Sequence, residues 1–253
     1  LLEIIMGSNL LLALSAFAAG LINSVAGGGS FFTFPALVFT GVPPIIANAS
    51  STMALLPGIF ASAWAYRGDF KETPDFPFRP MLIISFAGGI AGALLLLYTP
   101  ERTFDGMIPW LMLAATLMFT FGLRLSPLLA RVIHIGPVTL LCMQGLVAIY
   151  GGYFGGAIGI LMLAAWSLFG LKDIHMMNAN RTLLGGAMNA VAVVLFVIAR
   201  KIWWPQTMVM LVAAVIGGYA GARFARRANP RYVRAAVSVI SAGITIAFFL
   251  RHR

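Results

Sequence analysis

Asn178-Ala179-Asn180-Arg181-Thr182 puts two amides, a guanidinium and a hydroxyl directly ahead of an apolar run, Leu183 to Ala199. A guanidinium carried into hydrocarbon costs about 2.5–3.5 kcal/mol on insertion scales, so it must face protein or a wet cavity. With no acid in the apolar run beside it, it asks for an anion, and its planar fork can grip a carboxylate or sulfonate at two points. A second stretch, Asn48-Ala49-Ser50-Ser51-Thr52, opens the apolar run Met53 to Tyr66. If helices start at Asn48 and Asn178 with the asparagines as N-caps, two sets of unpaired N–H groups can face one ligand, each end carrying roughly half a positive charge. The candidate binding residues are Asn48, Ser51, Thr52, Asn178, Asn180, Arg181 and Thr182, with the hydroxyls expected to add donors. Gly28, Gly29 and Gly156 let backbone approach the ligand closely. Asp173 and His175 form a titratable pair nearby; they are candidates for coupling, although a place in the turn ahead of the helix accounts for them more simply.

The elements that position these residues follow from hydropathy. Of 253 residues, 60% are hydrophobic and 9% charged, which is too little polar surface for a soluble globule. The apolar runs are continuous rather than alternating, so the expected fold is an all-α polytopic membrane protein and not a barrel. Leu10 to Ala26 predicts a helix, broken by Gly27-Gly28-Gly29-Ser30. Phe31 to Val42 is about 18 Å as a helix, too short for a hydrocarbon core of roughly 30 Å, and Gly41-Val42-Pro43-Pro44 stops it. After a solvated loop, Arg67 to Arg79, come spans Met81 to Tyr98 and Met107 to Leu123.

The pattern then repeats. Val138 to Tyr150 is broken by Gly151-Gly152-Tyr153-Phe154-Gly155-Gly156, Ile158 to Phe169 is again short, and Gly170-Leu171-Lys172-Asp173 precedes the Asn178 stretch. Leu183 to Ala199, Met208 to Ala222 and Val233 to Leu250 complete the second unit. The expected organisation is a first repeat over residues 1–124, a linker over 125–136 and a second repeat over 137–253. If each glycine-broken pair returns to its own side, as a re-entrant hairpin or as two thin spans, each half is odd and the halves are inverted. Eleven basic residues, Arg67, Arg79, Arg124 and the Arg223 to Arg234 cluster among them, then share one face against five on the other. Parallel repeats divide them nine against seven, so the positive-inside rule favours inversion, with the Arg223 to Arg234 loop cytoplasmic and both termini outside.

Several function classes lose support. The net charge of +10 is distributed between apolar runs, as orientation in a bilayer requires, so it speaks for lipid and not for nucleic acid as a partner. Cys142 stands alone and His134, His175 and His252 are scattered, so no metal site and no cofactor is expected. No nucleophile with a base and no paired acids lie at membrane depth, which argues against an enzyme. No carboxylate sits mid-span to relay protons, and a homo-oligomer is left open. Broken helices in inverted repeats are the arrangement of secondary carriers that bind near the bilayer midplane; a channel would use the same residues.

The chain resembles the TauE/SafE family of sulfite and organosulfonate transporters. The likeness rests on Ala26-Gly27-Gly28-Gly29-Ser30, Phe34-Pro35-Ala36-Leu37, Gly41-Val42-Pro43-Pro44 and Ala47-Asn48-Ala49-Ser50-Ser51 in the first unit. In the second unit it rests on Gly155-Gly156-Ala157-Ile158-Gly159, Gly170-Leu171-Lys172-Asp173 and Asn178-Ala179-Asn180-Arg181-Thr182. The resemblance implies a carrier or facilitator, most readily an exporter, for a small sulfur oxyanion such as sulfite, sulfonate or sulfoacetate across a bacterial inner membrane. Family members often have a Gly-Thr-Ser type sequence where this chain has Ala-Asn-Arg, so Arg181 marks a specialised ligand.

Overall fold

A computed structural model describes residues 2–25, 28–70, 76–129, 132, 135–171, 173–225 and 230–251. Gly27, Lys71, Glu72, Asp75, Arg131, His134, Lys172, Arg226, Arg227, His252 and Arg253 lie outside the described residues. The described chain is all α: α1 Leu2–Val25, α2 Ser30–Phe39, α3 Pro44–Ala65, α4 Phe78–Tyr98, α5 Glu101–Leu129, α6 Pro137–Tyr153, α7 Ile158–Phe169, α8 Ile174–Ile198, α9 Trp204–Ala225 and α10 Pro230–Arg251. Five of these, α3, α4, α5, α8 and α10, are long and apolar enough to cross a membrane.

The glycine breaks produce hairpins. At about 15 Å and 18 Å, α2 and α7 cannot span a bilayer core. Ile135, just before α6, donates its N–H to the Leu168 carbonyl near the end of α7 at 3.2 Å, so the two ends of that hairpin meet on one side of the bundle. The first hairpin closes similarly: Thr40 and Val42, past the end of α2, share a small cavity with Ser8, Asn9 and Leu12 of α1. The two hairpins touch inside the molecule, where the rings of Phe34 and Phe154 meet edge to face at 5.5 Å.

Three expectations about boundaries are corrected. α3 starts at Pro44, because a proline at the first helical position loses no hydrogen bond and has φ pre-set, so Asn48 lies a turn inside and caps nothing. α8 starts at Ile174 with Asp173 as N-cap, its carboxylate accepting from the His175 and Met176 amides at 3.0 and 3.2 Å, so Asn178 is likewise interior. α5 runs from Glu101 to Leu129, taking in the turn expected before Met107 and the start of the expected linker.

Packing is arranged in matched pairs. α1 packs most extensively on α9 and α4 on α6; α3 lies on α8 and α9, and α8 on α4. Exchanging the first five helices with the last five turns α1 on α9 into α6 on α4 and α3 on α9 into α8 on α4, and leaves α3 on α8 as it is. Lipid tails are as apolar as leucine, so such helices are held by close approach, which needs small residues. α4 carries Gly88-Gly89-Ile90-Ala91-Gly92-Ala93 and α9 carries Gly217-Gly218-Tyr219-Ala220-Gly221-Ala222, a correspondence the reading of the sequence had not used. A methyl on Gly217 would strike the Phe17 carbonyl of α1, and one on Gly92 the Ile149 carbonyl of α6.

Candidate functional site

The hairpin tips, with α1, α3, α5 and α8, enclose a partly open cavity of about 200 Å³. That is far more than the roughly 10–15 Å³ that admits one water. Gly28, Gly29 and Ser30 bring the start of α2 to it, and Ala157, Ile158 and Gly159 the start of α7. The helix ends that face the cavity are thus those of the two short helices. α3 and α8 contribute side chains from their second turn onward.

The second tip is shaped to expose backbone donors. Gly155 has φ 80° and Ala157 φ 60°, a left-handed pair that turns the chain sharply into α7. The N–H groups of Ile158 and Gly159 meet no backbone acceptor among the described residues, as first-turn amides do unless something outside the helix takes them. The first tip is held differently, by the Asn23 side-chain amide oxygen Oδ1 accepting from the Gly29 N–H at 2.7 Å.

Arg181 is the cation of the site. It is half-buried, lines the cavity, and its Nε is enclosed with no hydrogen-bond partner among the described residues. A Cβ built on Gly159 would sit 2.9 Å from its Nη1, so the guanidinium lies directly on the first turn of α7. Two positive features, a guanidinium and a helix amino end, are therefore held together, and among the described residues no acidic side chain lines the cavity. Gly159→Ala is expected to push the guanidinium off that turn and weaken anion binding about three- to tenfold without lowering thermal stability, as titration and melting of the purified variant would show.

Thr52 and Thr182 make the same bond, each hydroxyl donating to the carbonyl four residues back, to Asn48 at 2.9 Å and Asn178 at 2.7 Å. Asn48 and Asn178 are thus equivalent, and Arg181 occupies the place that Ser51 has in the first unit. Asn48 donates through its amide to the Tyr153 carbonyl at 3.1 Å, tying α3 to the second hairpin, and is 4% exposed. Ser51 shares a 2.6 Å hydrogen bond with Thr33 of α2, and Ser50 accepts from the Trp203 N–H at 2.9 Å.

Of the residues expected to bind, Gly28, Gly29, Asn48, Ser51, Thr52, Asn178, Arg181 and Thr182 line one cavity. Asn180 and Gly156 do not. Asn180 is fully buried and donates to the Met176 carbonyl at 3.1 Å, while Gly156 packs on Phe154 and Ala115. Asp173 and His175 stand exposed at the start of α8, away from the cavity lining. Asn23, Ser62, Tyr66 and Asn189 line it without having been singled out. Asn23 and Asn189 had a signal, since amides deep in apolar helices are rare and need a reason.

A polytopic bundle with broken hairpins around a polar cavity is a transporter's architecture, and comparison with known proteins agrees. The chain is 26% identical to a probable membrane transporter protein, ORF9, of Sinorhizobium sp, over 93% of this chain and 90% of that protein. It is 28% identical to the probable membrane transporter protein YfcA of Escherichia coli K12 over 90% of this chain and 84% of that one. A probable membrane transporter protein of Haemophilus influenzae is 29% identical over 89% and 88%. No solved structure matches the chain. Among the described residues no group of His, Cys, Asp and Glu could hold a metal ion, and nothing in the cavity lining pairs a nucleophile with a base. Because the profile described as Sulfite exporter TauE/SafE matches residues 12–248, taking in both hairpin tips and every cavity-lining residue, the chain belongs to the TauE/SafE family.

Proposed function

We propose that this protein is a secondary carrier or facilitator that moves a small sulfur oxyanion, such as sulfite, a sulfonate or sulfoacetate, across a bacterial inner membrane, most readily outward. The observation that carries this reading is Arg181 lying on the first turn of α7 in a cavity that no carboxylate lines among the described residues. Holding two positive features together beside hydrocarbon is costly unless a negative ligand sits between them.

The two halves are read as inverted repeats, α1 to α5 and α6 to α10, related by a two-fold axis in the membrane plane. The exchange symmetry of the helix contacts supports a two-fold. An antiparallel course of α3 and α8 fits inversion: Gly186 faces Ile59 and Phe60, while Arg181, earlier in α8, lines one cavity with Tyr66, just past the end of α3. In this reading the hairpins are re-entrant, the Arg223 to Arg234 loop is cytoplasmic and the termini are outside. The cavity runs along α3 as far as Ser62 and Tyr66, so the conformation is open toward the cytoplasm. No coupling role is assigned to Asp173 or His175.

Purified protein in liposomes preloaded with unlabelled sulfite or ethanesulfonate is expected to take up the labelled anion in saturable counterflow. Absence of counterflow with every sulfur oxyanion tried would sink the reading, and a large unitary conductance in a planar bilayer would replace the carrier by a channel.

A further inference from the structure

Three of the cavity's hydroxyl groups, those of Thr52, Ser62 and Thr182, have their hydrogens already committed. Thr52 donates to the Asn48 carbonyl, Ser62 to the Gly58 carbonyl and Thr182 to the Asn178 carbonyl, at 2.9, 2.9 and 2.7 Å. A hydroxyl has one proton, and a carbonyl can only accept, so each of these oxygens has only lone pairs left for the cavity. Ser51 and Thr33 share a single hydrogen bond between them, either one donating. Thr52 and Thr182, expected to add donors for an anion, thus turn acceptor lone pairs toward the cavity in this reading.

The cavity thus has two unlike parts. Around Arg181 and the α7 start, guanidinium and amide groups donate. At Thr52 and Ser62 of α3 and at Thr182 of α8, beside the Asn48 and Asn178 amides, the hydroxyl oxygens accept. A bare oxyanion filling the whole cavity would press its own lone pairs against that wall, which costs free energy for each unpaired contact. Leu55, Ile59 and Phe119 also line the space and suit a carbon body. From this geometry we infer that the ligand is an oxyanion carrying a short carbon body with a hydroxyl group, its anionic end on Arg181 and its hydroxyl donating to one of the acceptor oxygens of Thr52, Ser62 and Thr182. An ammonium group would donate as well, but it would be a second cation beside Arg181 in a cavity lined by no carboxylate. The inference rests on the anion seat proposed above and adds which oxyanions fit it.

Three probes of one size, ethanesulfonate, 2-hydroxyethanesulfonate and 2-aminoethanesulfonate, test it by isothermal titration of the purified full chain. The hydroxylated probe is expected to bind about tenfold more tightly than ethanesulfonate, the amino probe no more tightly than ethanesulfonate. In the triple variant Thr52→Val, Ser62→Ala, Thr182→Val the hydroxylated and plain probes are expected to bind within threefold of each other. Those hydroxyls only double up on carbonyls of their own helices, so their loss leaves the fold intact, which an unchanged melting temperature would verify. Equal binding of the plain and hydroxylated probes to the natural chain overturns the inference, as does preference for the amino probe or a preference for the hydroxyl that survives in the triple variant. Arg181→Ala separates the levels: it should weaken all three probes together, and if it weakens none, the anion seat itself is wrong.

Discussion

Arg181→Ala will weaken binding of a sulfur oxyanion by about 30- to 4,000-fold, the equivalent of roughly 2–5 kcal/mol for removing one partner of an enclosed charge pair. The protein will still insert, since removing a guanidinium from an apolar helix lowers the insertion cost by about 2.5–3.5 kcal/mol. Titration of the purified variant checks the first statement, and its yield in the membrane fraction checks the second. Arg181→Lys should recover only part of the affinity, because an ammonium keeps the charge but loses the two-point grip on an oxyanion. Unchanged affinity in both variants would take Arg181 out of the site.

Gly217→Val will lower the melting temperature of the purified protein by about 5–10 °C. A side chain there meets the backbone of α1 at Phe17, which cannot rotate aside as a side-chain tip can. The helices must separate, and overpacking of this kind costs about 1–3 kcal/mol or more, which at roughly 2–4 °C per kcal/mol for a chain of this size gives the expected shift. Gly243→Ala in α10 is the control. Nothing lies within 4 Å of a methyl there, and alanine is the better helix former, so the melting temperature should hold or rise slightly. A drop of the same size in both variants would mean that glycine packing is not what holds α1 to α9.

Binding and stability are expected to respond to different residues. Arg181 and Gly159 act where a cation lies on a helix start, while Gly217 and Gly92 act where backbones touch. A carrier needs both, since a binding seat at the meeting point of two hairpins is only as well placed as the helices that hold the hairpins. Asn48 joins the two requirements, lining the cavity while tying α3 to the Tyr153 carbonyl at the second tip.

Hydropathy, glycine breaks and repetition determined much from sequence alone. Continuous apolar runs leave helices as the spanning element, because backbone polar groups in hydrocarbon must be satisfied within their own segment. The short runs after Gly29 and Gly156 could not span, which made hairpins or broken helices the only choices, and Arg181 stood out because a lone cation in an apolar run needs an anion. Which helix ends face that anion was decided only in three dimensions. Pro44 and Asp173 start α3 and α8 a turn earlier than the asparagines do, and the ends that reach the cavity belong to α2 and α7. A helix start depends on a few local φ values and caps, whereas a helix direction depends on packing against partners far along the chain. The polarity of the cavity wall was equally out of reach: a threonine reads as donor or acceptor until its proton is placed, and in Thr52 and Thr182 the preceding turn of helix takes that proton.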